Sequence, residues 1–230
     1  MNPSLNDLLA SLPENEYRVL TEKMELVSLN KGQTLFDVGQ VTTQLYFPVG
    51  AIVSMMNDMP DGDSVETYVL GKTCFVGLGA TGTPSFYRAT VRNAGLAYRI
   101  AVGDIQRVLN QCPVYLQRVN QGIQGMLRQM SQSIYCAKRH GVEQQLLRWM
   151  LTTLDRTLSN QIAVTHQELS DLLCVRREAV SLAMRRLAEA GWVSNSRGVI
   201  TVLDRATLEA IACDCYWLGL GIQRPLPEMA

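Results

Sequence analysis

The sequence predicts an α+β protein, with an antiparallel β-roll in its N-terminal half and helices in most of its C-terminal half. Brief β-prone runs separated by turn residues fill about residues 25–101, and many short strands at such spacing are typical of a roll or a sandwich. Amphipathic patterns with apolar residues at intervals of three and four begin near residue 114, and that period is typical of helices.

Composition and charge limit the class of protein. Hydrophobic residues make up 47% of the 230 positions, enough to form the cores of two modest domains. No run of about 18 apolar residues occurs, and the N-terminus carries acids where a secretory signal is basic, so we expect a cytoplasmic protein with no membrane partner. The net charge is zero, but it is −1 over residues 1–137, +3 over 138–205 and −2 over 206–230, so the positive excess lies in one segment.

Two short helices and seven strands are expected before residue 101. Apolar residues at helical spacing predict helices around 5–9 and 17–24, with Pro13 in the first turn of the second. Asp104 is expected to cap a further helix, which ends before Pro113. The strands are expected at 26–29, 33–36, 44–47, 51–55, 65–70, 89–92 and 96–100.

A long helix of about 23 residues is predicted from Val114 to Cys136, with a length of roughly 34 Å. Its apolar positions follow intervals of 3, 4, 3, 4 and 4 residues, close to the heptad pattern of a coiled coil. We expect a parallel homodimer along this seam; the alternative is that the seam packs on the chain's own β-domain. The seam consists of Leu116, Val119, Ile123, Met126, Met130 and Ile134.

Residues 162–202 have the pattern of a winged helix-turn-helix. Thr165 and Glu168 have the S/T-x-x-E spacing of a capping box, in which each side chain binds a free backbone N–H at a helix start. This pair therefore predicts the start of a supporting helix. A short corner at 174–176 leads into a second helix, predicted from 177 to 190.

The second helix has a polar face suited to DNA. From Val180 onward its apolar residues recur at i, i+3, i+4 and i+7, which turns Arg177, Glu178, Ser181 and Arg185 outward. Arginine can pair with a guanine edge, glutamate can accept from cytosine N4, and serine or a second arginine can hold phosphate. We expect these four side chains in the major groove of double-stranded DNA; the alternative is a merely solvated face.

A hairpin wing is predicted after the second helix. Two β-prone runs, 192–194 and 199–201, are joined by a turn-prone segment with Arg197 at its tip. We expect Arg176, Arg197 and Thr165 to meet phosphates or to make wing contacts.

The segments around this unit carry simpler expectations. Residues 138–141 are expected to form a charged hinge, and 142–158 an amphipathic helix. Asp204 is expected to cap a last helix at 205–213, and the glycine and proline content of 219–230 predicts little fixed structure.

The six cysteines show no C-x-x-C pair, so the sequence indicates neither a zinc site nor a disulfide framework. Most are expected to be small buried apolar residues. Cys213 and Cys215 are the one close pair, and a redox or metal role for this pair stays open. We expect no metal and no cofactor.

Several short motifs occur along the chain in a recognisable order. They are Lys31-Gly32-Gln33-Thr34-Leu35, Leu45-Tyr46-Phe47, Asp61-Gly62, Phe75-Val76-Gly77, Val175-Arg176-Arg177-Glu178-Ala179-Val180 and Gly191-Trp192-Val193. With these motifs, essentially the whole chain resembles the Crp/Fnr superfamily of bacterial transcription regulators. The resemblance implies a cyclic-nucleotide-binding-like β-roll in 1–112, a dimerisation helix in 113–137 and a winged helix-turn-helix in 138–230. It implies as partners an inverted DNA repeat, a second copy of the chain and RNA polymerase, with base contacts by Arg177 and Glu178.

The chain departs from the cyclic-nucleotide-binding members of that superfamily. Those members carry a glycine-glutamate pair that holds the ribose and a downstream arginine that holds the phosphate. Here Leu78 follows the glycine, and Tyr87 stands at the arginine position with Arg88 one place late. We therefore expect control without cyclic AMP, with a candidate effector pocket of Leu78, Tyr87, Arg88 and Thr90. The alternative is a ligand- or redox-gated member with a non-nucleotide effector; the N-terminal cysteines of the iron–sulfur branch are absent.

Two further departures lie in the helix-turn-helix. Cys174 replaces the glycine usual at the corner, where a left-handed conformation costs a non-glycine residue roughly 1 kcal/mol. Leu182 stands where members often have a third base-reading arginine, and it can touch a thymine methyl group instead. We expect a half-site different from the family's best-known one.

A cupin-like enzyme is the alternative from another class. Metal-dependent cupins need clustered histidines and carboxylates on strands, but His140 and His166 both lie in the helical half. No G-x-S-x-G elbow or P-loop occurs, and the G-x-G-x-x-G at 77–82 lacks a strand–helix context. We therefore expect no catalytic activity.

Overall fold

The computed structural model describes residues 2–77 and 82–224. Their contacts divide the chain into two compact units, one within 1–122 plus 155–158 and the other within 123–154 plus 159–230. Each unit combines helices with antiparallel strands, which confirms the predicted α+β class.

The first unit is a β-roll, and each of its seven predicted strands is present. The strands are β1 (Glu25–Leu29), β2 (Thr34–Phe36), β3 (Gln44–Pro48), β4 (Ile52–Asp58), β5 (Ser64–Leu70), β6 (Arg88–Asn93) and β7 (Gly95–Ala101). They form a three-stranded sheet, β1-β7-β3, and a four-stranded sheet, β2-β6-β4-β5, in which every pair is antiparallel. Leu45, Phe47 and Ile100 are among the apolar side chains buried in the core of this unit.

Three short helices flank the strands. They are α1 (Asp7–Ala10), α2 (Glu14–Thr21) and α3 (Val102–Val108). The prediction that Asp104 caps α3 is wrong, because the helix begins directly after strand β7, with Ala101 as its N-cap. Asp104 lies in the first turn and accepts a hydrogen bond from Arg107 at 2.9 Å.

Helix α4 (Pro113–Arg139) is three residues longer at its C-terminal end than predicted. Its start is secured by the buried Glu16, whose carboxylate accepts hydrogen bonds from the N–H groups of Val114 (3.0 Å) and Tyr115 (2.8 Å). The first N–H groups of a helix have no partner within the helix, and proline at the first position loses none. A side chain 98 residues away in sequence from Val114 therefore helps to define where α4 begins.

The second unit contains the winged helix-turn-helix and four elements around it. Its elements after α4 are α5 (Val142–Leu154), β8 (Gln161–Ala163), α6 (His166–Leu173), α7 (Arg177–Glu189), β9 (Val193–Ser196), β10 (Val199–Val202), α8 (Arg205–Ile211) and α9 (Asp214–Leu220). The strands form one sheet in the order β8-β10-β9. Leu147, Met150, Leu169, Val180 and Leu187 contribute to a core shared by α5, α6 and α7.

Several predicted boundaries in this unit need correction. The expected hinge at 138–141 is shorter, because Lys138 and Arg139 still belong to α4 and the helix breaks only at His140 and Gly141. Helix α5 ends at Leu154, four residues early, and neither β8 nor α9 was predicted. Asp204 caps α8 as expected, accepting from the N–H of Thr207 at 2.9 Å.

The predicted unstructured tail is also partly wrong. Gly219 and Leu220 belong to α9, which ends at Gly221 with a left-handed backbone. The remainder of that segment, from 225 onward, lies outside the described residues. Across 2–77 and 82–224, none of the helices combines the length and the apolar composition that crossing a bilayer requires.

Candidate nucleic-acid interface

Supporting helix α6 begins at the predicted capping box. Oγ1 of Thr165 accepts from the N–H of Glu168 at 3.1 Å, and the Glu168 carboxylate accepts from the N–H of Thr165 at 2.6 Å. Both N–H groups would otherwise lack a partner at the helix start. Thr165 is exposed, so its hydroxyl hydrogen stays available to a phosphate even though its oxygen serves the cap.

The corner between α6 and α7 is a tight turn centred on Cys174. This residue has φ 52° and ψ 46°, the left-handed conformation that the sequence predicted for the position. The N–H of Val175 donates to the carbonyl of Ser170 at 3.1 Å, so the turn satisfies a carbonyl at the end of α6. A left-handed Cys174 costs about 1 kcal/mol relative to glycine.

Helix α7 has the two faces expected of a recognition helix. Its buried face consists of Val180, Ala183, Met184 and Leu187, as predicted. The outward face carries a shallow depression of about 350 Å³, lined by Arg177, Glu178, Ser181, Leu182 and Arg185. All four predicted base-reading residues therefore share one surface, and Leu182, 49% exposed, adds an apolar contact in its midst.

The wing is a regular hairpin whose tip is formed by Arg197 and Gly198. Both residues have positive φ, 49° and 74°, which is the geometry of the two-residue turn that matches strand twist. Arg197 is exposed at the tip, as predicted. The strands run one residue further toward the tip than expected, and β8 adds a third strand through the pair Ile162–Ile200.

His166 joins the three parts of the interface and was missed in the sequence. Its Nδ1 lies 3.0 Å from Oγ of Ser181 on α7, and its Nε2 lies 2.5 Å from Nδ2 of Asn195 in the wing. The Asn195 amide donates to Nε2, so Nδ1 carries the ring hydrogen and donates it to Ser181. Burial, and then the nearby Arg177, lowers the pKa of His166, which favours this neutral ring.

Four arginines on this surface have no internal counter-ion. Among residues 2–77 and 82–224, no hydrogen bond or ion pair engages the guanidinium groups of Arg176, Arg177, Arg185 and Arg197. Arg186, by contrast, lies 3.6 Å from the Glu143 carboxylate. Uncompensated cations on one surface favour binding of a polyanion.

The candidate effector residues of the β-roll are arranged differently. Arg88 donates two hydrogen bonds of 2.6 Å to Asp58 and one of 2.9 Å to Thr90, so Arg88 and Thr90 share a face of the sheet. Tyr87 is buried and packs edge-on against Phe36, with ring centroids 5.3 Å apart. Leu78 lies outside the described residues.

The charge of Arg88 is compensated within the roll. Its hydrogen bonds, followed by one from Ser64, lower the pKa of Asp58 to about 2. The carboxylate therefore stays ionised at physiological pH and occupies the guanidinium that an anionic ligand would need.

Comparisons with known proteins follow the same division of the chain. Residues 26–112 match the cyclic nucleotide-binding domain family, and residues 144–211 match the Crp-like helix-turn-helix domain family. The nitrogen fixation regulation protein FixK of Bradyrhizobium diazoefficiens is 23% identical over 210 residues, which cover 88% of each chain.

Solved structures share the fold. FixK2 from Bradyrhizobium japonicum has a TM-score of 0.68 at 15% identity, covering 83% of this chain and 98% of its own. The c-di-GMP-responsive regulator CLP of Xanthomonas campestris has a TM-score of 0.64 at 15% identity, covering 83% and 99%.

Proposed function

Because the chain belongs to the Crp/Fnr family of transcription regulators, we propose that it reads an inverted DNA repeat as a homodimer, without cyclic AMP. Its two matched domains occur in the family's order and together span about two thirds of the chain. The protein is thus a regulator with a helix-turn-helix DNA-binding domain and not an enzyme. Within it we assign sensing, dimerisation and DNA binding to 1–112, 113–137 and 138–230, and we place the protein in the cytoplasm with the DNA it binds.

The depression on α7 supports a division of labour among its side chains. Arg177 and Glu178 read base edges, with Ser181 and Arg185 beside them in the groove. Leu182 contacts a thymine methyl group, which makes the half-site different from that of members with arginine there. Three further side chains, at the start of each helix and at the wing tip, meet phosphates: Thr165, Arg176 and Arg197.

The exposed apolar stripe of α4 supports the homodimer. Leu116, Leu127 and Ile134 are 46%, 60% and 60% exposed, although each is a large apolar residue. They recur at intervals of eleven and seven residues, which places them on one face of the helix together with Ile123 and Met130. Met126, assigned to the seam from its spacing, is only 8% exposed within a single chain, so Leu127 takes its place in the proposed contact.

The β-roll then acts as an effector-free scaffold or as a sensor of something other than cyclic AMP. The Arg88–Asp58 pair supports this, since it neutralises the cation nearest to the expected phosphate position. RNA polymerase is the further partner that transcription regulation requires.

The observation that carries this proposal is the group of four unpaired arginines around a depression on a helix-turn-helix. The test is an unbiased selection of duplex DNA by the purified, untreated protein at a stated salt concentration, because phosphate contacts make affinity salt-dependent. We expect an inverted repeat with half-site centres about one helical turn apart. Enrichment of a single unrepeated half-site would contradict the dimer, and no enrichment at all would contradict ligand-free binding.

A further inference from the structure

Four side chains with metal-binding atoms meet where the end of α4 approaches the connection between α8 and α9. Cys136 and His140 are one helical turn apart, and the N–H of His140 donates to the carbonyl of Cys136 at 2.9 Å. Cys213 precedes α9 as its N-cap, and Cys215 is the second residue of that helix. Three Sγ atoms and one imidazole nitrogen all lie within 4.8 Å of one another, inside the second unit.

The distances correspond to a tetrahedron around one ion. Sγ of Cys136 and Sγ of Cys213 are 3.8 Å apart, and Sγ of Cys215 and Nδ1 of His140 are 3.6 Å apart. With zinc–sulfur bonds of about 2.3 Å and zinc–nitrogen bonds of about 2.0 Å, tetrahedral angles place neighbouring sulfurs about 3.8 Å apart and sulfur and nitrogen about 3.6 Å apart. Both measured edges therefore match those of a mononuclear Cys₃His centre.

Other readings of the cluster account for less of it. A disulfide would use two sulfurs and leave the imidazole and the third thiol unexplained. An iron–sulfur cluster distributes its cysteine ligands over several irons, which separates them more widely than the atoms found here. Simple burial of apolar thiols does not explain the approach of an imidazole nitrogen.

The surroundings suit a site with three thiolates. Arg148 is buried beside the cluster, held by a 2.9 Å hydrogen bond to Ser133, and its positive charge favours the thiolate of Cys136. The hydrogen bond between Cys136 and Cys213 lowers the pKa of Cys213 to about 5, so one ligand is ionised at neutral pH. The ring of Tyr135 stands edge-on to His140, with centroids 6.0 Å apart.

We propose that Cys136, His140, Cys213 and Cys215 bind one Zn²⁺ through three Sγ atoms and Nδ1. Binding forms four bonds to the metal, and the protons still held by the thiols leave to solvent. Four protein ligands leave no open position, so the site is structural. It fastens the start of α9 to the end of α4, and both helices adjoin α5, which packs against recognition helix α7.

Metal analysis of the full-length protein tests this proposal without reference to DNA. The protein is purified under reducing conditions without chelator, and its zinc content is measured before and after removal of the metal. The apo form is then titrated with Co²⁺, whose visible absorption reports tetrahedral geometry and whose near-ultraviolet charge-transfer bands report thiolate ligands. We expect about one zinc ion per chain and a tetrahedral thiolate cobalt spectrum.

Ligand variants supply the matched comparison. Cys213→Ser and Cys215→Ser should lose the zinc, whereas Cys174→Ser removes an exposed thiol of the same unit and should retain it. Circular dichroism of each variant establishes that the chain is folded, and the cobalt titration of the wild-type apo form stands independently of any variant. Absence of metal from the wild type together with failure of Co²⁺ to bind, an octahedral spectrum, acid-labile sulfide, or equal loss in Cys174→Ser would each overturn the proposal.

Discussion

Arg177 opens recognition helix α7 and faces the depression that we assign to base contacts. Arg176, its neighbour, is the N-cap residue of the same helix and is assigned to phosphate. The two residues have the same side chain, so they separate sequence reading from charge.

Replacing Arg177 by alanine should weaken binding to the selected operator by about 1–3 kcal/mol and relax the preference at one base position. Arg176→Ala should weaken binding by a similar factor on all sequences, because phosphate contacts carry no base information. Affinities for the operator and its single-base variants, measured at one salt concentration, distinguish the two. A uniform loss for Arg177→Ala would make it a phosphate anchor.

His166 makes the stability of the second unit depend on pH. Its folded pKa lies below the unfolded value, so the unfolded chain binds a proton more readily. The stabilisation is therefore complete above about pH 6.5 and is lost as the pH falls toward the lowered folded pKa.

Urea unfolding of the wild type and of His166→Gln checks this pH dependence. The stability advantage of the wild type should be largest at about pH 8 and should shrink by about pH 5. His140 is present in both proteins, so its titration cancels in the difference. An advantage that stays constant over this range would contradict the neutral bridge between α7 and the wing.

Cys174 retains backbone strain that glycine would remove. Cys174→Gly should raise the free energy of unfolding by up to about 1 kcal/mol, because glycine adopts the left-handed corner without steric cost. Cys174→Ala keeps a Cβ atom and serves as the control with no such gain. Destabilisation by glycine relative to alanine would show that the corner is not strained.

Helix α4 is the element whose exposed face asks for a partner. Leu127→Glu should shift the protein from dimer to monomer, since it places a charge in an apolar seam between two helices. Gln124→Glu adds the same charge at an exposed position outside the seam and should leave the dimer intact. Sedimentation velocity measures both, and a Leu127→Glu variant that stays dimeric would place the contact elsewhere.

The complete chain is predicted to respond little to cyclic AMP. Leu78 replaces the ribose-binding carboxylate of the family pattern, and Asp58 already neutralises Arg88. Saturating cyclic AMP should therefore leave the melting temperature unchanged and alter operator affinity less than about twofold, because a ligand that does not bind shifts no equilibrium. A concentration-dependent rise in melting temperature would show that the roll binds the nucleotide.

Local signals account for what could be predicted of the fold. The capping box, the corner and the faces of α7 each depend on residues within a few positions of one another, so spacing alone predicts them. The hairpin wing and the seven strands of the roll are predictable for the same reason. The misplaced start of α3 and the missed α9 are short elements, where the periodic pattern has too few repeats.

The sequence by itself determined the order of β-roll, long helix and winged helix-turn-helix, and the DNA-reading face, because these follow from periodicity and turn chemistry. Only the tertiary structure decided which partners distant segments find. It turned Met126 inward and Leu127 outward, set His166 between α7 and the wing, and brought Cys136 to Cys213 across 77 positions. Such contacts depend on how helices pack against one another, and no interval in the sequence encodes that packing.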